Sequence, residues 1–272
     1  MKGSTILPGR EMFRLARKGP VQYLESTVLK DFGFLTHAFL TRNGGVSQGC
    51  FSSLNFSLKV GDLPESVQRN LKIVEASFMV PEFFLMSQVH GDRVLLLKEK
   101  EATGAEESPQ ADAVITAERG IAIGIKTADC VPILLCDPVR KVIGAAHAGW
   151  RSTAAGIAPK TASAFVSHFS SKISDLIAVI GPCIGPCCYE VDLVVYEAMS
   201  KPDREAGFKT KSADKWMLDP AEVNRSQLIA AGLDPSHVFS ANICTSCRSD
   251  LFFSHRKEGS ATGRQFNFIM LG

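Results

Sequence analysis

Residues 126–151 have the sequence KTADCVPILLCDPVRKVIGAAHAGWR, and this stretch decides how the middle of the chain folds. Two short runs of β-branched and apolar residues, 131–136 and 141–147, are separated by an Asp137-Pro138 dipeptide. Because Asp-Pro favours a turn, the two runs are predicted to be neighbouring antiparallel strands. Cys130 then precedes the first strand and His147 ends the second, so both are expected at the same open end of a hairpin.

Outside the hairpin, the sequence predicts more strands than helices. Similar short apolar runs occur at 94–97, 121–126, 176–180 and 265–271. Short turns join several consecutive strands, which predicts an antiparallel or mixed sheet flanked by helices. The polar segments 98–110 and 200–215 are predicted to be exposed loops, but neither has the composition of a linker between domains.

Helices are predicted where their end signals are clear. Asp62 followed three residues later by Glu65 resembles a capping box, and Pro81 ends the apolar pattern. Asp219 begins a second helix by the same logic, with proline and glutamate in its first turn. The predicted helices cover 63–80, the Ala-rich segment 152–168, and the segment from Asp219 to a terminating Gly232.

Length and charge exclude several classes of protein. The 272 residues fit one large domain or two small ones, and we expect one domain over 1–272. With 30 Lys+Arg against 28 Asp+Glu, the net charge of +2 gives no electrostatic case for binding nucleic acid or an anionic membrane. The sequence opens without an apolar secretion signal and contains no stretch that could span a membrane, so a cytoplasmic location is expected.

The eight cysteines and six histidines limit the metal chemistry. Disulfides are rare in the cytoplasm, so the cysteines are expected to be metal ligands, nucleophiles or reduced buried thiols. An oxidase with a full set of coppers needs roughly a dozen ligands, mostly imidazoles, which six histidines cannot supply. A single small metal site remains compatible with this composition.

Cys130, His147 and His90 are the strongest candidates for chemistry. A thiol beside an imidazole can be a nucleophile pair, because the imidazole lowers the thiol pKa. The same two side chains with His90 can be three ligands of a zinc ion, with the fourth position left for water. The alternative without chemistry is a buried thiol with two hydrogen-bonded histidines.

Two further segments allow more than one interpretation. Cys244 and Cys247 have the C-x-x-C spacing of half a zinc site or of a redox pair, which Cys183, Cys187 or Cys188 could complete. Adjacent cysteines rarely aim at one ion, so we expect buried or supporting thiols there. The segment 41–47, TRNGGVS, offers Arg42 and Ser47 to a phosphate or a sugar, although such a segment is more often only a turn.

At these residues the sequence resembles a known family. The matching stretches, in chain order, are TRNGGVS (41–47), SLN (53–55), QVHGDRV (88–94), ADAVIT (111–116), KTADCVPILLCDP (126–138), AAHAGWR (145–151), GPCIGPCCYEV (181–191) and NICTSCRSDLFFSHR (242–256). Together they resemble the laccase-domain family, which older naming describes as multicopper polyphenol oxidases. Its members are also described as purine nucleoside phosphorylases, and some as peptidoglycan editing factors.

The resemblance implies a fold, a metal and an activity. The fold would be a single-domain α-β-β-α layered sandwich of the α/β (α+β) class with mixed sheets, similar to the catalytic domain of cytotoxic necrotizing factors. Zinc would be held by His90, Cys130 and His147. The chain would be a monomer that cleaves adenosine, inosine, guanosine and methylthioadenosine with inorganic phosphate as co-substrate, and that also deaminates adenosine.

The resemblance also implies roles for residues around the metal. Ser47 would contact the nucleoside with Arg42 as its neighbour, and either zinc or Arg42 could hold the phosphate during catalysis. Apart from the resemblance, Asp129 stands beside Cys130 and is a candidate to support one of the zinc histidines, although it could equally be only a turn residue.

Three other functions remain open. The first is a metal-free Cys–His hydrolase or amidase that acts on peptidoglycan precursors, and the second is a copper-dependent phenol oxidase. Copper outcompetes zinc at such ligands, so copper could also be adventitious. The third is an editing or interaction factor without enzymatic turnover.

Overall fold

The computed structural model describes residues 5–6, 12–98 and 108–272. Within them the strands are β1 Thr5–Ile6, β2 Phe13–Lys18, β3 Val21–Ser26, β4 Leu35–Leu40, β5 Glu82–Phe84, β6 Val94–Leu96, β7 Ala113–Thr116, β8 Ile121–Thr127, β9 Val131–Asp137, β10 Val142–Ala148, β11 Ile177–Ile180, β12 Glu190–Val191, β13 Phe208–Ser212, β14 Lys215–Leu218, β15 Val238–Ser240 and β16 Gln265–Leu271. The helices are α1 Thr27–Lys30, α2 Pro64–Phe78, α3 Trp150–Ala154, α4 Ile157–Phe169, α5 Leu193–Ala198, α6 Lys201–Gly207, α7 Pro220–Ala230 and α8 His255–Glu258.

The strands in these described ranges form two large sheets and one small one. The larger sheet has the order β1-β2-β3-β4-β16-β8-β5, the second has the order β15-β11-β9-β10-β7-β6, and the small sheet has the order β12-β14-β13. Most neighbours are antiparallel, but β5 runs parallel to β8, β6 to β7, and β11 to β15. Both large sheets are therefore mixed, as the sequence predicted.

The central hairpin is formed as predicted. Strand β10 pairs antiparallel with β9, and its register sets Val142 opposite Asp137 and Ala148 opposite Val131. Asp137 shapes the turn, because its Oδ1 accepts hydrogen bonds at 2.9 Å from the backbone N of both Val139 and Arg140. The open end of this hairpin therefore carries Cys130 on one side and the end of β10 on the other.

Alternation of side chains along the strands produces four layers. In β16, Phe266 and Phe268 pack under α2, whereas Ile269 and Leu271 face the second sheet. In β9, Leu134 faces the first sheet, while its neighbours pack with Phe165 of α4 and Leu228 of α7. The order of layers is thus α2, seven-stranded sheet, six-stranded sheet, and α4 with α7, which confirms the α-β-β-α arrangement.

The same alternation fixes where the functional residues lie. Ile143 and Ala145 of β10 belong to the core between the two large sheets. His147 follows them on the same face of β10, at the end of this inter-sheet core. The candidate site therefore lies at one end of the space between the sheets.

One predicted helix has the capping that the sequence indicated, and another does not. Helix α7 begins after Asp219, whose side chain accepts a hydrogen bond from the backbone N of Glu222, and Gly232 follows its end with φ +109°. Helix α2 begins at Pro64 with Leu63 at the N-cap and no side-chain cap, so the capping box predicted at Asp62 is wrong. The Asp62 carboxylate instead accepts hydrogen bonds from Asn55 Nδ2 and from the Leu63 backbone N.

Of two other predictions, one is confirmed and one is wrong. The segment 152–168 is largely helical as predicted, and it is divided into two helices because Gly156 adopts φ +76° between α3 and α4. The segment 200–215 is not a loop but contains α6 and β13, and β13 pairs with β14. Of the predicted loop 98–110, residues 99–107 lie outside the described residues.

No helix in the described part of the chain combines the length and the apolar character that crossing a membrane requires.

Candidate metal centre

Side chains from three parts of the fold meet at the open end of the hairpin. Cys130 directly precedes β9, and His147 in β10 lies opposite Pro132. His90 comes from the loop between β5 and β6, where its backbone adopts φ +60°. A positive φ is uncommon for a residue with a side chain and is found where the surrounding structure fixes it. The long-range pair that the hairpin predicted is therefore present, and His90 joins it.

The ligand atoms of these three residues lie within 4.8 Å of one another. The distance from Cys130 Sγ to His90 Nε2 is 3.9 Å, and the rings of His90 and His147 meet edge to face with centroids 4.8 Å apart. Tetrahedral zinc with one thiolate and two imidazoles places its ligand atoms about 3.5 Å apart. The three side chains thus fit one such ion with small adjustments.

Asp112 organises the two histidines. Its Oδ1 accepts hydrogen bonds from His147 Nδ1 at 2.8 Å and from the backbone N of His90 at 3.0 Å. Its Oδ2 accepts from the backbone N of Gly91 at 2.7 Å and of Val89 at 3.2 Å. Because Nδ1 of His147 is engaged, Nε2 is the nitrogen available to a metal. The carboxylate is fully buried and also fixes the backbone turn that presents His90.

Gly149 leaves the space that the ligands occupy. A Cβ atom at this position would lie 2.8 Å from His90 Cδ2 and 3.3 Å from Cys130 Sγ. The backbone at Gly149 has φ −71° and ψ 170°, which any residue can adopt. The absence of a side chain is therefore required by the approach of His90 and Cys130, and not by the backbone.

The charges in the site favour the ionised thiol. Burial opposes ionisation of Cys130, but the charge of His147 and hydrogen bonds with both histidines lower its pKa from 9.0 to about 6. Burial likewise disfavours protonated His147, yet Cys130 and Asp112 raise its pKa from 6.5 to about 9. A thiolate is the form of cysteine that binds metals and attacks carbonyl carbons.

A cavity of about 1320 Å³ opens beside the three ligands. Aromatic surface comes from Phe56, Trp150 and Tyr189. Several cations line the same space: Lys59, Lys126, Arg151, Arg256 and Arg264. A cavity of this size with mixed apolar and cationic walls suits a polar, partly aromatic small molecule with a negatively charged partner.

Lys59 and Lys126 are two cations of the cavity wall that have no carboxylate partner among the described residues. Within residues 12–98 and 108–272, no carboxylate forms an ion pair with either lysine. Lys59 Nζ donates to Ser87 Oγ at 2.9 Å. Burial, with a smaller contribution from Lys59, lowers the pKa of Lys126. Two cations near each other in a cavity provide a binding site for an anion.

Asp129 does not support a histidine as the sequence suggested. Its Oδ1 accepts a hydrogen bond from Thr245 Oγ1 at 2.6 Å, and its Oδ2 accepts from the backbone N of Arg256 at 2.6 Å. The carboxylate thereby joins the loop before Cys130 to the segment that begins α8. The sequence predicted that Asp129 would support a zinc histidine. In the structure Asp112 does so, because it accepts the hydrogen bond from His147 Nδ1.

Arg42 and Ser47 are not brought to the cavity wall, which other residues form. Arg42 donates to the carbonyls of Ser52 and Ser249 and to Glu258 Oε1, and its guanidinium lies over the Phe253 ring. Ser47 is buried, and its Oγ donates to Asp62 at 2.6 Å and accepts from Asn70 at 2.9 Å. All these polar groups already have partners within the protein, so both residues stabilise the loop around residues 41–55.

The donor set indicates which kind of metal site this is before any relative is considered. Two imidazoles and one thiolate leave one tetrahedral position open, which is the arrangement of a catalytic metal centre rather than a structural one. The family model described as multi-copper polyphenol oxidoreductase laccase matches residues 36–272. The chain belongs to this family.

Similar proteins carry the name of an enzyme. The chain is 38% identical over 239 residues to purine nucleoside phosphorylase YlmD of Geobacillus stearothermophilus, which covers 84% of this chain and 87% of that protein. It is 32% identical over 265 residues to purine nucleoside phosphorylase LACC1 of Homo sapiens, which covers 94% of this chain and 60% of that protein. The crystal structure of YlmD from Geobacillus stearothermophilus superimposes with a TM-score of 0.88 at 33% identity, covering 96% of this chain and 98% of that one.

Proposed function

We propose that this chain is a zinc-dependent purine nucleoside phosphorylase that also deaminates adenosine. Its substrates would be adenosine, inosine, guanosine and methylthioadenosine, with inorganic phosphate as the co-substrate. The observation that carries the proposal is the convergence of His90, Cys130 and His147 beside a large cationic cavity. The name shared by the similar proteins supports the same reaction.

Zinc is the metal we infer here, because two imidazoles and one thiolate are typical ligands of a catalytic zinc ion. His90, Cys130 and His147 would hold it, and in that position zinc supplies Lewis acidity toward oxygen at neutral pH. The copper alternative finds less support, because the metal-ligand groups among the described residues contain only two histidines. An oxidase with several coppers needs many more imidazoles.

The cavity residues would bind the two substrates. Lys59 and Lys126 would hold phosphate, because they are the lysines of the wall that lack a carboxylate partner in the described structure. Phe56 and Tyr189 offer aromatic surface to the purine ring. In phosphorolysis, a phosphate oxygen bonds to C1′ of the ribose as the bond from C1′ to the purine nitrogen breaks. Placing the two substrates side by side is the main contribution required of the protein.

The test is an assay of metal-quantified protein with each of the four nucleosides, with and without phosphate. We expect free base and ribose 1-phosphate, or its methylthio analogue, only when phosphate is present. We expect adenosine to yield inosine and ammonia without phosphate, because water replaces the amino group in deamination. Failure of all four nucleosides to react with phosphate would refute the phosphorylase proposal.

One observation favours a second candidate, a metal-free Cys–His hydrolase or amidase. The contacts follow the order found in thiol enzymes. The Cys130 thiol has a lowered pKa beside the His147 imidazole, and the Asp112 carboxylate orients that imidazole. The two candidates differ in their need for metal. A hydrolase would keep its activity after chelation and would lose it when the Cys130 thiol is alkylated. The phosphorylase would lose activity on chelation and recover it with zinc.

A further inference from the structure

Four cysteines outside the candidate metal centre lie together. Cys187 and Cys188 follow β11, and Cys244 and Cys247 follow β15. Their Sγ atoms all lie within 4.8 Å of one another, with 3.5 Å between Cys187 and Cys247 and 3.4 Å between Cys188 and Cys247. The expectation that adjacent cysteines would not turn toward one point is therefore wrong here.

Local backbone structure explains why adjacent residues converge. The backbone N of Cys188 and that of Tyr189 both donate to the Gly185 carbonyl at 3.0 Å, which curls residues 185–189 into a tight turn. On the other segment, the backbone N of Arg248 donates to the Cys244 carbonyl at 3.0 Å. This single helical turn places residues three apart on one side, so Cys244 and Cys247 face the same way.

We propose that Cys187, Cys188, Cys244 and Cys247 bind one zinc ion. A tetrahedral zinc ion with Zn–S bonds of about 2.3 Å places its sulfurs about 3.8 Å apart. The two shortest separations, 3.5 and 3.4 Å, lie slightly below this value and the others stay within 4.8 Å, so the ion fits with small side-chain rotations. An iron–sulfur cluster contains several ions between its ligands and would need a wider space.

A hydrogen bond to sulfur supports the role of ligand. The backbone N of Gly185 donates to Cys244 Sγ at 3.2 Å. Such a bond stabilises negative charge on a ligating sulfur and orients it. The four thiolates fill every position of a tetrahedral ion, so this site is closed to substrate, in contrast to the open set formed by His90, Cys130 and His147.

The bound ion would join the segment 184–188 to the segment 244–247. Both segments contact the end of the hairpin that carries Cys130. Thr245, between the two ligands of the C-x-x-C pair, donates from Oγ1 to Asp129 Oδ1 at 2.6 Å. Ile184 donates from its backbone N to the Asp129 carbonyl at 2.9 Å. Asp129 directly precedes Cys130, so the second zinc ion would stabilise the backbone that presents this cysteine without touching the substrate.

The inference is tested by counting zinc in protein purified under reducing conditions. We expect Cys247→Ser and Cys187→Ser each to lower the zinc content by one equivalent per chain. Cys50→Ser, which changes an exposed thiol outside both groups, is expected to keep the wild-type content. Unchanged zinc content in both Cys247→Ser and Cys187→Ser would overturn the proposal, as would iron in place of zinc.

A second readout does not depend on how well the serine variants fold. In Cys130→Ala protein the open site is impaired, so cobalt substitution should still give the thiolate-to-cobalt absorption of the four-cysteine site. Alkylation of the four thiols should be slow with metal bound and fast after chelation. Rapid alkylation before chelation, or disulfides among these cysteines in freshly reduced protein, would contradict the proposal even if the phosphorylase activity is confirmed.

Discussion

Asp112 Oδ1 accepts a hydrogen bond from His147 Nδ1 at 2.8 Å, and both side chains are almost completely buried. The same oxygen accepts from the backbone N of His90, so one carboxylate fixes two of the three candidate ligands. This relationship makes the geometry of the site depend on a residue that would not itself touch the metal.

Asp112→Asn is the first test of that dependence. The amide keeps the shape but loses the charge that favours an Nδ1-H imidazole, and its NH2 group cannot accept the hydrogen bonds that one carboxylate oxygen accepts. Partners of this kind typically contribute 10- to 100-fold to metal affinity or activity. We predict a loss of zinc affinity and of kcat/KM in that range. Asp92→Asn is the matched control, because Asp92 lies in the same loop but pairs with Lys160 at the surface. Equal behaviour of the two variants would contradict the role of Asp112.

Gly149→Ala tests the space between the ligands. The added Cβ would press on His90 Cδ2 and Cys130 Sγ, while the backbone conformation remains allowed. Displacing a ligand by a fraction of an ångström should lower kcat by about tenfold or more, since catalysis is sensitive to small misplacements. The melting temperature should change little. Gly33→Ala, where the new Cβ meets no atom within 4 Å, serves as the control for both measurements.

Lys126→Met tests the phosphate position. Hydrogen bonds to charged groups contribute about 1.5–3 kcal/mol, so the KM for phosphate should rise by about 10- to 150-fold. The KM for the nucleoside should change much less, and deamination of adenosine, which uses no phosphate, should be retained. Lys72→Met on the exposed side of α2 should leave every kinetic constant unchanged. An unchanged KM for phosphate in Lys126→Met would remove this lysine from the binding site.

A buried histidine far from the site predicts how stability depends on pH. Burial lowers the pKa of His37 from 6.5 to about 4, and its Nε2 accepts a hydrogen bond from the backbone N of Ser26 at 3.0 Å. Between these pH values the unfolded chain binds the proton and the native chain does not, so stability falls as the pH falls from 6.5 toward 4. The loss attributable to His37 should approach about 3 kcal/mol.

His37→Gln isolates this contribution, because glutamine can accept the same hydrogen bond and does not titrate. Urea unfolding of both proteins at several pH values gives the difference in the free energy of unfolding. We expect the variant to lose less stability than the wild type on acidification. Parallel pH profiles would contradict the claim that His37 is buried in its neutral form in the native state.

The sequence predicted the elements better than it predicted the partners of the site. The hairpin followed from two apolar runs and an Asp-Pro turn, and from it the proximity of Cys130 and His147. Asp112 had no such local signal, because it is 22 residues from His90 and 35 from His147 and meets both only through strand pairing. Its place in the family-matching stretch ADAVIT (111–116), directly before the buried strand β7, was the hint available.

The family resemblance also predicted substrate contacts for two residues that have other partners in the structure. Arg42 and Ser47 lie in a matching motif, yet their polar groups are used to hold the surrounding loop. The convergence of Cys187 and Cys188 depends on the turn at Gly185, which residue spacing alone does not reveal. The contacts of Arg42 with Ser249 and Glu258 join segments that are distant in sequence, whereas the two cysteines converge through a local turn.

Cys130→Ala provides the most direct test of the central claim, that His90, Cys130 and His147 form the catalytic zinc site. Zinc content and phosphate-dependent cleavage of adenosine are measured on the same preparation, with Cys50→Ser as the control. We predict that Cys130→Ala loses one equivalent of zinc per chain and nearly all phosphorolysis, whereas Cys50→Ser matches the wild type. Full phosphorolysis by Cys130→Ala protein with an undiminished zinc content would contradict the account.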